Sequence, residues 1–258
     1  MYFVEVLQNN AGQGEYSMCV ISPLRTIVIA SLLVFAVLDV YAQERTRTIG
    51  VKGLYTSSSR LFPSPDAADE VARFRYNSLD HIFGYGADIR IGIAKYNVIL
   101  GVTVEYLEKT DDFITRFEED DETFLVPTVD GYHIIPIELS GYFLIPISSE
   151  HFRFYIGGGA GIYLGRRTYE IGGVRSGSME QSVYPGIHVV SGIDYYFHSR
   201  IGMRFEMKFR DPDIETRNRF EDDTITYEGR AFNLPDGEIP SRINVDGIAF
   251  TLGMVFRF

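Results

Sequence analysis

The closing stretch of the chain, Ile248-Ala249-Phe250-Thr251-Leu252-Gly253-Met254-Val255-Phe256-Arg257-Phe258, puts a large apolar side chain at every second position. Small or polar residues fill the places between. This is the pattern of a β-strand whose two faces meet different surroundings. Seven further segments repeat it. Thr46–Ser57 aligns Ile49, Val51 and Tyr55, and Phe83–Ile93 sets Phe83, Tyr85, Ala87, Ile89 and Ile91 against Gly84, Gly86, Asp88, Arg90 and Gly92. Asn97–Leu107 sets Val98, Leu100, Val102, Val104 and Tyr106 against Thr103 and Glu105. In Ile135–Ile145, Ile137, Leu139 and Phe143 oppose Glu138, Ser140 and Tyr142. Phe152–Leu164 places Arg153, Tyr155, Gly157, Gly159, Gly161 and Tyr163 on one face. Ile187–Phe197 does so with His188, Gly192, Asp194 and Tyr196, and Ile201–Phe209 with Arg204, Glu206 and Lys208.

Each segment is about 10–12 residues long, enough at about 3.3 Å per residue and a tilt near 40° to span an apolar band of about 25 Å. Strands of soluble domains are more often about 5–6 residues. Connection lengths alternate as well. Short turns lie near Lys95, Ser148-Ser149-Glu150 and His198-Ser199, and long polar stretches fall near 58–80, 109–131, 166–183 and 211–242. Eight strands with alternating short and long connections predict an all-β, eight-stranded antiparallel up-and-down transmembrane barrel. Its apolar face meets lipid, and its polar face lines the lumen. In the first long connection, Asp66–Arg73 fits a short helix after Pro65. The second and fourth are expected to be acidic loops, through Asp111-Asp112, Glu118–Glu122 and Glu221–Asp223.

The N-terminal part carries Arg25, the apolar run Thr26–Leu38 and the small-residue site Val40-Tyr41-Ala42, the layout of a secretory signal peptide. Residues 1–42 are therefore read as signal peptide with cleavage after Ala42, and the barrel as 43–258. Residues 1–17 contain Glu5 and Glu15 but no base, so Met18 is a plausible true start and 1–17 an over-long extension. Past Ala42 the chain has 23 bases against 32 acids, a formal charge of −9, which argues against nucleic-acid binding. The lone cysteine, Cys19, precedes the cleavage site, so neither a disulfide framework nor a thiolate metal site is expected.

Phe154–Tyr163 (FYIGGGAGIY), Gly192–Phe197 (GIDYYF) and the closing Phe256-Arg257-Phe258 resemble the small outer-membrane β-barrel family that includes the OmpX-, OmpW- and opacity-type barrels. The likeness covers the whole chain past the signal. It implies an outer-membrane location in a Gram-negative-type cell, with outer-membrane lipid and lipopolysaccharide as surroundings. It also implies that Phe258 is the signal read by the barrel-assembly machinery. The absence of Trp departs from the family pattern. Phe143, Phe152, Tyr195, Phe197, Phe256 and Phe258 would then form the periplasmic aromatic girdle, and Tyr55, Phe83, Tyr85 and Tyr106 the outer one.

The candidate functional residues are the lumen charges Asp88, Arg90, Glu105, Glu138, Arg153, His188, Asp194, Arg204, Glu206, Lys208 and Arg257. An eight-stranded barrel is about wide enough for its own side chains, so these are expected to pair into a plug. The function expected is then non-enzymatic: a structural role, or surface contact with an extracellular ligand through the long acidic loops. A narrow channel, or a carrier of small or apolar molecules, is the alternative. A lipid-modifying enzyme is a third reading, but Gly157–Gly161 lacks the dinucleotide fingerprint and neither His188 nor His198-Ser199 sits in a nucleophile motif. No catalytic residue, cofactor or metal site is assigned. The Glu118–Glu122 run lacks calcium-loop spacing.

Overall fold

The computed structural model describes residues 45–93, 96–119, 122–179 and 182–258. The expected signal peptide lies outside them. In chain order the elements are β1 (Arg45–Phe62), the helix α1 (Glu70–Phe74), β2 (Asn77–Ile93), β3 (Val98–Glu119), β4 (Glu122–Leu144), β5 (Phe152–Ile171), β6 (Val174–Arg175) and β7 (Gly177–Ser178). They continue as β8 (Ser182–Tyr196), β9 (Ile201–Arg210), β10 (Asp213–Arg219), β11 (Thr224–Tyr227), β12 (Arg230–Asn233), β13 (Ile239–Asn244) and β14 (Ile248–Arg257).

Eight of these form the wall, in the order β14-β9-β8-β5-β4-β3-β2-β1, each antiparallel to the next. β14 also pairs with β1, from Thr48↔Arg257 to Thr56↔Ala249, so the sheet closes on itself. The alternation decides which way each residue points. Val51, Phe83, Tyr85, Leu139, Ile156, Ile187, Phe205 and Leu252 face outward and are exposed, while Asp88, Arg90, Glu105, Glu138 and Glu206 are buried inside. A charged interior behind an apolar exterior is the reverse of a soluble protein, and it identifies lipid as the outer solvent. Aromatic clusters mark both rims of this belt. Tyr55 packs on Phe83 at 5.5 Å and Tyr85 on Tyr106 at 5.4 Å on one side, and Phe152 packs on Tyr195 at 4.7 Å on the other.

The strands are longer than the alternation indicates. About 9–11 residues suffice to cross a membrane, yet β3 and β4 have 22 and 23 residues. The stretch expected to be a polar loop at 109–131 is instead a continuous hairpin, with Phe113↔Thr128, Thr115↔Val126 and Phe117↔Phe124 in register. Asp111, Asp112 and Glu118 therefore ride on strands. Above the membrane the outward face of a strand meets water instead of lipid, so Asp112, Arg116 and Glu118 take outward positions while Phe113 and Phe117 still point inward. The helix predicted after Pro65 is present as α1, capped by the Asp69 carboxylate, which accepts from the Ala72 amide at 2.9 Å.

The fourth long connection also folds. Past Asp211-Pro212 the chain leaves the wall, and β10 pairs with β13 from Asp213↔Asn244 to Asn218↔Ile239. β13 is held to the top of β1 by Arg60↔Asn244, Leu61↔Ile243 and Phe62↔Arg242. Ile214 and Ile243 from this cap pack with Leu61, Leu79, Tyr132, Ile134, Tyr163 and Val245 in one buried cluster. A second cluster above it joins Val126 and Ile171 of the wall to Phe220, Ile225, Phe232 and Leu234.

The cap seats closely at Gly165, where an added Cβ would lie 2.7 Å from Ile214 Cγ2. Gly165→Val is expected to overpack this contact at a cost of about 1–3 kcal/mol. Limited proteolysis should then cut residues 211–245 faster, with the wall intact. Unchanged cleavage would show that β10 is not seated there.

Candidate functional site

Ten charged side chains meet inside the barrel: Lys52, Arg90, Arg204, Lys208 and Arg210 against Asp88, Glu105, Glu138, Asp194 and Glu206. All ten are buried, and five bases balance five acids. Arg204 grips Asp194 with both arms, Nε to Oδ1 at 2.7 Å and Nη2 to Oδ2 at 2.8 Å, and its Nη1 donates to Asp88. Arg90 donates from Nε to Asp88 at 3.0 Å and from Nη2 to Glu206 at 2.5 Å. Its guanidinium also lies over the rings of Tyr142 and Tyr155, 4.2 and 5.2 Å from their centroids. Lys52 donates to Glu206 at 3.1 Å and lies 3.2 Å from Glu105. Glu105 accepts in turn from Lys208 at 2.7 Å and Arg210 at 2.6 Å. Lys208 also donates to Glu138, as does the Tyr163 hydroxyl at 2.9 Å. Desolvating so many charges is tolerated only because each finds an opposite partner in close contact.

The eleven sequence-predicted lumen charges fall into three groups. Asp88, Arg90, Glu105, Glu138, Asp194, Arg204, Glu206 and Lys208 join the network. Arg153 and Arg257 do not; both stack on Tyr196 near the periplasmic mouth, at 5.5 and 3.7 Å from the ring centroid. His188 bonds Ser140, Nε2 to Oγ at 2.8 Å. The two meet across β5 because the residue between them in register is Gly159, with Ser140↔Gly159 and Gly159↔His188. Phe258 caps the seam at the chain end, its amide donating to the Arg47 carbonyl at 3.0 Å.

Two members escaped the sequence reading. Lys52 sits between Gly50 and Leu54 on an inner face with no charge pattern. Arg210 lies one residue past the last alternating apolar position, just before Asp211-Pro212 breaks the strand. Both have inward parity, Lys52 opposite Val51 and Tyr55 and Arg210 in line with Arg204, Glu206 and Lys208, so the alternation could have found them.

Ser140, His188 and Glu138 form a serine–histidine–carboxylate set, with His188 Nδ1 4.0 Å from Glu138 Oε1. That separation is too long for the hydrogen bond that orients a catalytic histidine. Glu138 is already engaged by Lys208 and Tyr163, and all three side chains are buried. Among the described residues no group of three or more His, Cys, Asp or Glu side chains is placed to hold a metal ion.

On the extracellular side a cleft of about 510 Å³ opens between the segment bearing α1 and the β3–β4 hairpin. On its lining is a second buried ion pair, Arg167 to Asp130, with Nε to Oδ1 at 2.8 Å and Nη2 to Oδ2 at 2.7 Å. Tyr169 stacks under the Arg167 guanidinium at 4.2 Å. Burial pushes its phenol above the ordinary tyrosine value, so the hydroxyl stays protonated at neutral pH.

No family model matches the chain, and no curated protein does. Among solved structures, the outer membrane protein OprG from Pseudomonas aeruginosa is 14% identical over 83% of this chain and 95% of that one, with a TM-score of 0.50. Looser matches are the outer membrane protease OmpT from Escherichia coli (10% identity, 83% of this chain and 96% of that one, TM-score 0.42) and neisserial surface protein A (12%, 84% and 100%, 0.40). The likeness to OprG agrees with the closed sheet and the apolar belt: the chain has the fold of a small outer-membrane β-barrel.

Proposed function

We propose that this chain is a non-enzymatic outer-membrane barrel with a sealed lumen, and that its activity lies in contacts made by its extracellular part. One observation carries the reading. At the centre of the lumen the side chains of Glu105 and Arg210 both have 0% exposure. A conduit would leave water beside such charges, whereas here carboxylates, guanidiniums and tyrosine hydroxyls fill the space. Above them the apolar cluster under β10 and β13 adds a dry lid. The elongated β3–β4 hairpin, α1 and the cap offer a structured surface outside the membrane.

The test is planar-bilayer recording and liposome uptake with the purified barrel. The expected result is no conductance above the lipid baseline and no uptake of small solutes. Reproducible conductance steps would overturn the sealed reading and favour a channel.

A further inference from the structure

We infer that the free edge of β3 above the membrane pairs with the same edge of a second copy of this chain, held in an opposing membrane. The inference rests on the surface-contact reading above and names a partner for it. β2 and β3 part at Phe83↔Glu108, and from there upward β3 pairs with β4 alone. Among the described residues no other backbone hydrogen bond reaches residues 109–118. The α1 segment stands off this edge across the cleft of about 510 Å³, so it does not cover it. Exposed edges are normally kept short, interrupted by a bulge or proline, or covered. This one has no proline, and its register with β4 is unbroken from Leu107↔Ile134 to Glu119↔Glu122.

The backbone groups on offer follow from the ladder. Residues directly opposite in an antiparallel pair either bond to each other or both turn away. The Pro127 carbonyl accepts from the Gly172 amide on the β5 side, so its opposite number, Ile114, turns its own amide and carbonyl to the free edge. By the period of two, Thr110, Asp112, Arg116 and Glu118 do the same. All five side chains are exposed, Ile114 at 65%. Lys109 pairs with Asp111 at 2.6 Å, whereas Asp112, Arg116 and Glu118 have no ion pair among the described residues.

This edge is complementary to itself. Two copies laid antiparallel about Ile114 set Asp112 against Arg116 twice over, and Thr110 against Glu118. Centred on Asp112 or on Arg116 instead, like charges would meet. Symmetry fixes the arrangement of the membranes. The two-fold axis relating antiparallel strands is perpendicular to their sheet. The β3–β4 hairpin continues an upright wall, so that axis runs parallel to the membrane, and two copies in one membrane cannot adopt it. Opposed membranes can. Ile114 lies eight residues past Tyr106 of the outer aromatic rim, a height of about 20 Å at about 3.3 Å per residue and a tilt near 40°.

The experiment is sedimentation velocity of the purified barrel in phosphatidylcholine nanodiscs, one barrel per disc. The protein belt of each disc prevents side-by-side contact, so only face-to-face contact can join two discs. Pairing that grows with concentration up to about 0.1 mM is expected. Asp112→Arg and Arg116→Asp, each alone, put like charges together at both symmetry-related positions and should weaken pairing about tenfold or more. Mixed, each variant supplies the charge that the other lacks, so hetero-pairs should form although neither variant pairs with itself. Residues 43–258 contain no cysteine. Ile114→Cys should therefore cross-link two discs on mild oxidation, because the paired Cα atoms would lie about 5.5 Å apart. Leu125→Cys, exposed one strand away on β4, should not. All variants are first checked for retained heat-modifiability. Discs that stay single, charge variants that pair as well as the parent, or a mixture that pairs no better than its components would each overturn the inference. So would discs that stay single while an extended peptide of unrelated sequence protects the Asp112, Ile114 and Arg116 amides from hydrogen exchange; the edge would then serve a foreign strand. Single discs whose barrel does not conduct sink this inference alone; a conducting barrel sinks the sealed reading instead.

Discussion

Glu105→Leu is expected to cost the barrel about 3–5 kcal/mol of stability, seen as a lower urea midpoint for the purified protein refolded in lipid vesicles. Glu105 sits within 3.2 Å of Lys52, 2.7 Å of Lys208 and 2.6 Å of Arg210. Its loss leaves five buried bases facing four acids, with no water to solvate the excess. Leucine restores packing volume but not charge, so the penalty is electrostatic. Lys208→Met added to Glu105→Leu returns the count to four against four. The double variant should therefore lose less than the sum of the two single losses, a positive coupling typical of residues in one network. A Glu105→Leu effect within about 0.5 kcal/mol, the range of ordinary surface changes, would mean that the site is solvated.

The second large effect separates lipid from water as the outer solvent. Leu139 and Ile114 are 64% and 65% exposed, so a soluble protein would treat arginine at either place alike. Leu139 lies on β4 opposite Val102 and Ala160, within the belt, while Ile114 lies on the part of β3 beyond the outer aromatic rim. Leu139→Arg should cost about 2–4 kcal/mol on folding into phospholipid vesicles, as for a cation placed near the bilayer midplane. Ile114→Arg should change stability by no more than about 0.5 kcal/mol. Equal effects at the two sites would remove the evidence for a membrane-embedded belt.

The wall was legible in the sequence because lipid and a charged lumen impose opposite demands on neighbouring residues. Phe83–Ile93 shows this most plainly, and its inward Asp88 and Arg90 are paired with each other. The upper structure was not legible, for the same physical reason. Phe113, Thr115 and Phe117 continue β3, but above the membrane the outward positions are filled by Asp112, Ile114, Arg116 and Glu118, so the pattern dissolves while the pairing persists. The cap was hidden differently. Ile214 and Ile243 share a buried cluster although 29 positions separate them, and no local signal joins them. The same holds for the extracellular cleft, whose residues come from 63–77, 113–130 and 167–169. Only the long-range pairing brings these segments together.

The interior charges are shared unevenly among the strands. β1 contributes Lys52, β3 and β4 one glutamate each, β8 Asp194, and β2 the self-cancelling Asp88 and Arg90. Together these strands enclose a surplus of two negative charges. β9 brings Arg204, Lys208 and Arg210 with Glu206, a surplus of two positive ones. β5 and β14 add none of the ten. An incomplete wall lacking β9 is thus electrically frustrated inside, and β9 alone carries the complement. The strand next to last in the wall acts as a latch: its arrival neutralises the interior, and its removal would leave every other strand facing a field it cannot screen. Such a barrel should hold together or come apart as a unit.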